Sequence, residues 1–267
     1  MDLGIAGCWA LVSGASRGLG LGCARALAKE GVNVICVARR EDVLAEAVMD
    51  LQRSCPDPAT RIIGVAADIT SAQGRQRVFE CPDGPGLRFD IVVTNSGGPP
   101  PGDFRDWTEE TWLAAIRANM YAPIALIQAT VDGMAERGFG RIVNITSGAV
   151  KAPIADLGLS NGARSGLTGV VAGLARSPLA AANVTINNLL PGAFLTDRLR
   201  SASSARAQAQ GTSLETVLQE RTNGVPARRL GSPDEFGAMC AYLCSQHAGY
   251  ITGQNILMDG GAYPGVL

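Results

Sequence analysis

The stretch Cys8-Trp9-Ala10-Leu11-Val12-Ser13-Gly14-Ala15-Ser16-Arg17-Gly18-Leu19-Gly20 decides the fold. Its first half, Cys8 to Ser13, is apolar and has the length of a buried strand. Leu21, Ala24, Leu27 and Ala28 then recur at helical spacing as far as Gly31, and Val32 to Ala38 reads as the next strand. Residues 8–38 therefore predict one strand, glycine loop, helix and strand in a unit of about 30 residues, the size a dinucleotide fold requires. Glycines in such a loop permit a tight turn and let the backbone approach a pyrophosphate closely. The helix that follows offers its unpaired N–H groups to the anion. A glycine loop by itself is equally a plain turn, and its place between a strand and a helix favours the nucleotide.

The end of the second strand refines this reading. An NAD site puts an acidic side chain there to hold the ribose 2′-hydroxyl, whereas an NADP site accommodates arginine. Here the strand runs into Ala38-Arg39-Arg40, whose guanidinium forks suit a phosphate, and Arg17 in the glycine loop adds another positive charge. The plainer alternative is a solvated basic start to the helix that begins at Glu41. NADP(H) is the expected cofactor.

Farther along, Glu41 to Arg53 is an amphipathic helix pattern, and Arg61 to Ala67 a strand ending in Asp68-Ile69-Thr70. Asp68 stands where it either accepts from an adenine amino group or caps the next helix. Phe89 to Thr94 is a fourth strand leading into Asn95-Ser96-Gly97-Gly98 and a run of prolines, a stiff wall or a stiff connector. Thr108 to about Arg137 reads as one long helix with Asn119 in its middle and a kink at Pro123. Arg141 to Thr146 is a strand that ends at Ser147, and a small-residue helix containing Ser160 and Arg164 continues to about Ala181. Val184 to Leu190 is a strand closed by Pro191-Gly192. The polar segment at about 194–222 reads as a helical lid, residues 234–245 as a helix capped by Ser232, and Asn255 to Met258 as the last strand.

Strands alternating with helices predict an α/β fold: a Rossmann-like, doubly wound parallel sheet of about seven strands with helices on both faces, in a single domain. Ligand groups in such folds gather at the carboxyl ends of the strands, which is where the glycine loop, Asp68, Asn95, Ser147 and Pro191-Gly192 fall.

Composition narrows the partners. With 23 basic and 24 acidic residues the chain has no net field, so neither nucleic acid nor an anionic membrane is expected. No uninterrupted apolar run reaches the roughly 18 residues of a membrane helix. The 7 cysteines are scattered and several lie in apolar segments, which fits reduced thiols, no metal and a cytoplasmic setting. A small-molecule ligand is the expectation that remains.

These residues resemble the short-chain dehydrogenase/reductase family over essentially the whole chain, in the manner of its 3-oxoacyl-ACP reductases. Ser13 to Gly20 looks like the family's TGxxxGxG loop and Asn95-Ser96-Gly97 like its NAG motif. Asn119 matches the family's helix asparagine, Ser147 its catalytic serine, and Pro191-Gly192 with Thr196 its PG…T segment. The resemblance implies cofactor contacts at Gly14, Ser16, Arg17, Gly18, Leu19, Gly20, Arg39, Arg40, Asp68, Ile69, Asn95, Gly97, Arg164, Pro191, Gly192 and Thr196. It also implies a homotetramer joined through the helices at about 105–137 and 159–181 and through the C-terminal segment.

The family's tyrosine acid and its lysine fall, by spacing, on Ser160 and Arg164, so both signature residues are replaced. A serine hydroxyl is shorter than a phenol and does not ionise near neutrality, while an arginine keeps the positive charge without giving up a proton. The implied activity is an NADPH-dependent interconversion of a carbonyl and an alcohol through an altered site of Ser147, Ser160, Arg164 and Asn119. The alternatives are an NADP(H)-binding protein without redox turnover, or a non-redox lyase or isomerase on the same scaffold.

Overall fold

The computed structural model describes residues 1–266. Its strands are β1 (Trp9–Ser13), β2 (Asn33–Ala38), β3 (Ile62–Ala66), β4 (Ile91–Thr94), β5 (Gly140–Ile145), β6 (Val184–Pro191) and β7 (Asn255–Met258). They form one 7-stranded parallel sheet in the order β3-β2-β1-β4-β5-β6-β7. The helices are α1 (Gly18–Lys29), α2 (Glu41–Ser54), α3 (Ala72–Phe79), α4 (Glu109–Ile116), α5 (Ala122–Glu136), α6 (Gly158–Leu174), α7 (Asp197–Gln210), α8 (Leu214–Asn223) and α9 (Pro233–Cys244). The chain's direction across the sheet reverses at β1, which lies between β2 and β4. A crevice for ligand therefore opens beyond the carboxyl ends of β1 and β4.

Helices cover both faces of the sheet, so its strands are unbroken apolar runs rather than alternating ones. Ala10, Val12, Val34, Cys36 and Val93 face one side and join Cys23, Leu27, Phe236 and Cys240 of α1 and α9. Leu11, Ile35, Val37 and Val92 face the other and meet Leu126, Leu167 and Val171 of α5 and α6. The buried cysteines pack as small hydrophobes, and desolvation pushes the Cys36 thiol up to about 12.

One helical expectation is sharpened and one corrected. The segment 108–137 is helical without a break, and its irregularity is a π turn at Arg117–Tyr121 between α4 and α5. Pro123 is the physical reason, because it has no N–H to give the carbonyl of Asn119. The loosened turn is accommodated just ahead of it, with Ala122 bonding back to Arg117. The helix expected to reach Ala181 stops at Leu174, and turns carry the chain past Pro178. On α6, Ala163 belongs to the core and Gly166 makes room for Met120, whereas Gly169 and Gly173 face open space.

A row of polar side chains crosses the sheet where apolar residues are the rule. The Thr94 hydroxyl donates to Asn144 Oδ1 at 2.7 Å, Asn144 Nδ2 to Asn188 Oδ1 at 3.2 Å, and Asn188 Nδ2 to Asn255 Oδ1 at 2.8 Å. These residues are direct partners in the β4–β5, β5–β6 and β6–β7 registers. Each amide satisfies its neighbour, and a slip of register would strand buried polar groups. Buried Arg141 ties the opposite end, donating to the carbonyls of Ser245, Gly140 and Asn183 at 2.8–3.0 Å.

Asn144→Leu leaves the Thr94 hydroxyl and the Asn188 carbonyl oxygen buried without partners, and is expected to destabilise the fold by about 2–4 kcal/mol. Urea unfolding monitored by circular dichroism checks this. A midpoint equal to that of the parent would show that the row does not hold the register.

Candidate active site

The glycine loop is held open by its neighbour strand. Ser13 Oγ donates to the carbonyl of Asn95 at 2.9 Å and accepts from its N–H at 2.8 Å, while Asn95 Nδ2 donates to the carbonyl of Gly14 at 3.3 Å. Asn95 thus stitches the end of β4 to the loop after β1. Gly14 sits at φ +61°, and a Cβ on Gly20 would collide with the Gly14 carbonyl, so the turn tolerates no larger residue there. Arg17 occupies the N-cap of α1 with no capping side chain, and the first turn carries no acid. The leading N–H groups of that helix are therefore available to an anion.

Arg17, Arg39 and Arg40 are all exposed, and none forms an ion pair with a carboxylate among the described residues. An uncapped helix start surrounded by unneutralised guanidinium groups fits a dinucleotide with an additional phosphate. Asp68 does not cap α3. That role belongs to Ser71, whose Oγ accepts from Gly74 at 2.9 Å, while Asp68 Oδ1 takes the N–H of Thr70 at 2.9 Å. Ile69 is buried and its carbonyl receives Arg75 Nη1 at 2.8 Å.

Ser147 stands one residue beyond β5, after Thr146, and its Oγ accepts the N–H of Ala149 at 3.1 Å, so the hydroxyl proton is left to point elsewhere. Ser160 and Arg164, at i and i+4, share the buried face of α6. Ser160 makes no side-chain hydrogen bond among the described residues. Arg164 turns inward: its Nη1 donates to the carbonyls of Ile145 and Thr146 at 2.7 and 2.5 Å, the last acceptors before Ser147. Its Nε is buried without a partner. Desolvation, followed by the nearby charge of Arg198, pulls this guanidinium down to about 10. It stays cationic at neutral pH.

Asn119 is buried in the π turn with both ends of its side chain engaged. Its Oδ1 accepts from Ser96 Oγ at 3.0 Å and its Nδ2 donates to the carbonyl of Ala115 at 3.3 Å. This places Ser96 beside the site. Residue type alone gave no sign of it, although it sits between Asn95 and Gly97. Pro191-Gly192 lies against the Asp259 turn, with Gly192 bonded to the carbonyl of Met258 at 2.9 Å. Thr196 caps α7 by accepting from Leu199 at 3.2 Å, and its methyl group faces Gly18. A cavity of about 300 Å³ lies behind this segment, lined by Phe194, Arg229, Glu235 and Gly260, apart from Ser147, Ser160 and Arg164.

A doubly wound sheet with an open glycine loop at its reversal point and polar groups at the ends of β4 and β5 defines a dinucleotide-binding protein. The family profile described as Enoyl-(Acyl carrier protein) reductase matches residues 14–263. Dehydrogenase/reductase SDR family member 4 of Oryctolagus cuniculus is 32% identical over 95% of this chain and 92% of its own. NADPH-dependent reductase BacG of Bacillus subtilis is 29% identical over 95% of this chain and 96% of its own. The crystal structure of L-sorbose reductase from Gluconobacter frateurii, complexed with NADPH and L-sorbose, superposes with a TM-score of 0.91 at 28% identity over 100% of both chains. The chain belongs to the short-chain dehydrogenase/reductase family.

If Arg39 and Arg40 hold the additional phosphate, replacing both by alanine should weaken NADPH binding on the order of 10–100-fold, while leaving NADH binding nearly unchanged. Fluorescence titration with each nucleotide checks this. An equal loss for both would assign the arginines to general charge.

Proposed function

We propose that this chain is an NADPH-dependent oxidoreductase that interconverts a carbonyl and an alcohol on a small or acyl-type substrate through an altered site of Ser147, Ser160, Arg164 and Asn119. The observation that carries the reading is the pairing of an uncapped α1 start, flanked by unpaired Arg17, Arg39 and Arg40, with a Ser147 hydroxyl left to donate at the end of β5. Gly14, Ser16, Gly18, Leu19 and Gly20 would hold the pyrophosphate, and Arg39 and Arg40 the extra phosphate. Gly97, Pro191, Gly192 and Thr196 would border the rest of the cofactor. When bound, that cofactor supplies a hydride to the carbonyl carbon or takes one from the alcohol.

Ser147 donates to the carbonyl oxygen and stabilises the charge that develops there. Arg164, fixed on the two carbonyls preceding Ser147, contributes a cation that needs no reorganisation as the charge builds. Ser160, buried and unbonded, relays a proton from water in place of a phenol. Asn119 acts through structure, since its amide is spent on Ser96 and Ala115, and it keeps the π turn and the β4 loop in register.

A second reading is favoured by one observation: Arg164 spends Nη1 on backbone, and no tyrosine stands at position 160 to be activated by it. On that reading the chain binds NADP(H) without turnover. Under the first reading the segment of α7 and α8 serves as a lid, and the protein is a cytoplasmic homotetramer. The outward Gly169 and Gly173 of α6 support close packing against a second copy.

Purified protein should oxidise NADPH with some member of a panel of ketones, diketones and 3-oxoacyl thioesters, and Ser147→Ala should cut kcat by about 10²-fold or more. NADPH binding without oxidation by any member selects the second reading.

A further inference from the structure

Arg198, in the first turn of α7, reaches back to the loop after β4. Its Nη2 donates to the carbonyl of Pro99 at 3.3 Å, and its guanidinium lies flat on the Cα of Gly98, where any side chain would collide with it. The residue remains exposed on its other side. An arginine on a solvated helix ordinarily extends into water, where its charge costs least. Burial lowers the pKa of this guanidinium and that of Arg164, and the charge of Arg198 acts on Arg164 as well.

Among the described residues no carboxylate pairs with either guanidinium, and Asp197, the nearest acid in sequence, makes no ion pair. Arg164 adds an independent sign. It is 7% exposed, its Nε is buried without a partner, and its Nη2 makes no protein hydrogen bond among the described residues. Two like charges gathered at one end of a cleft with donors to spare are stable when an anion joins them.

The place in the fold says whose anion it is. The cofactor's pyrophosphate is served by the α1 start, beyond β1, and its extra phosphate by the end of β2. Arg198 instead lies on the loop that follows β4, and Arg164 on the two carbonyls that precede Ser147. We propose that Arg198, backed by Arg164, receives a carboxylate of the substrate, so that the substrate class is an oxo acid or hydroxy acid rather than a neutral ketone or alcohol. This rests on the oxidoreductase reading above and assigns Arg198 as the residue that sets specificity. The stiff proline loop supplies the wall against which the guanidinium is held.

The test uses the full chain loaded with NADP⁺ and calorimetric binding of pyruvate, acetoacetate and levulinate, each compared with its methyl ester. At least one acid should bind on the order of 10–100-fold more tightly than its ester. That preference should vanish in Arg198→Met and return in part in Arg198→Lys, with NADP⁺ affinity within about twofold of the parent in both. No preference for any acid, or a preference that survives Arg198→Met, overturns the proposal. So does a loss in Arg198→Met that falls on NADP⁺ itself, which would assign the anion to the cofactor. Binding needs no turnover, so acid preference without NADPH oxidation would retain the carboxylate site and reject the oxidoreductase reading alone.

Discussion

A guanidinium buried without a counter-carboxylate is the constraint on which the rest of this site depends. Arg164 resolves the cost of its burial by donating to the carbonyls of Ile145, the last residue of β5, and Thr146, and in doing so it fixes the strand end that leads to Ser147. A lysine at the same place would concentrate its charge on one nitrogen. The planar fork of arginine lets one nitrogen anchor to two backbone carbonyls while Nη2 is left without a protein partner among the described residues. The charge expected from the family pattern is therefore kept, and it is tied to the scaffold.

The strands around it are held with matching stiffness. The row from Thr94 through Asn144 and Asn188 to Asn255 lies just below the ends of β4, β5 and β6, so the registers that place Asn95 and Ser147 are specified by buried hydrogen bonds as well as by packing. On the adjoining side, Ser13 and Asn95 lock the glycine loop to β4. Both halves of the crevice, for nucleotide and for substrate, are thus built on the same strand. A shift in β4 would move the cofactor loop and the Gly98 platform together.

Much of this was legible in the sequence. The strand, glycine loop and helix of residues 8–38 stand out because local spacing alone requires them, and Arg39-Arg40 because they follow directly on a strand, where the structure leaves them exposed. The positions of Ser147, Ser160 and Arg164 followed from spacing along one strand and one helix. The direction in which Arg164 points did not, since that is decided by carbonyls far away in sequence. The same holds for Asn119, whose amide is used up by Ser96 and Ala115, and for Asp68, displaced as a cap by Ser71. Pro123 announced a kink in its helix, but the π turn it produces depends on how the flanking turns pack. Arg198 carried no local signal: it became informative only once the fold laid it across Gly98.

The central claim is that a scaffold-bound cation, not a titrating acid, serves the reaction at Ser147. The most direct measurement is the pH dependence of kcat for NADPH oxidation under saturating substrate. Arg164 keeps its charge although burial lowers its pKa, so the account predicts a rate that is flat through the neutral range. An inflection near neutrality would reveal a titrating general acid elsewhere in the site and contradict it.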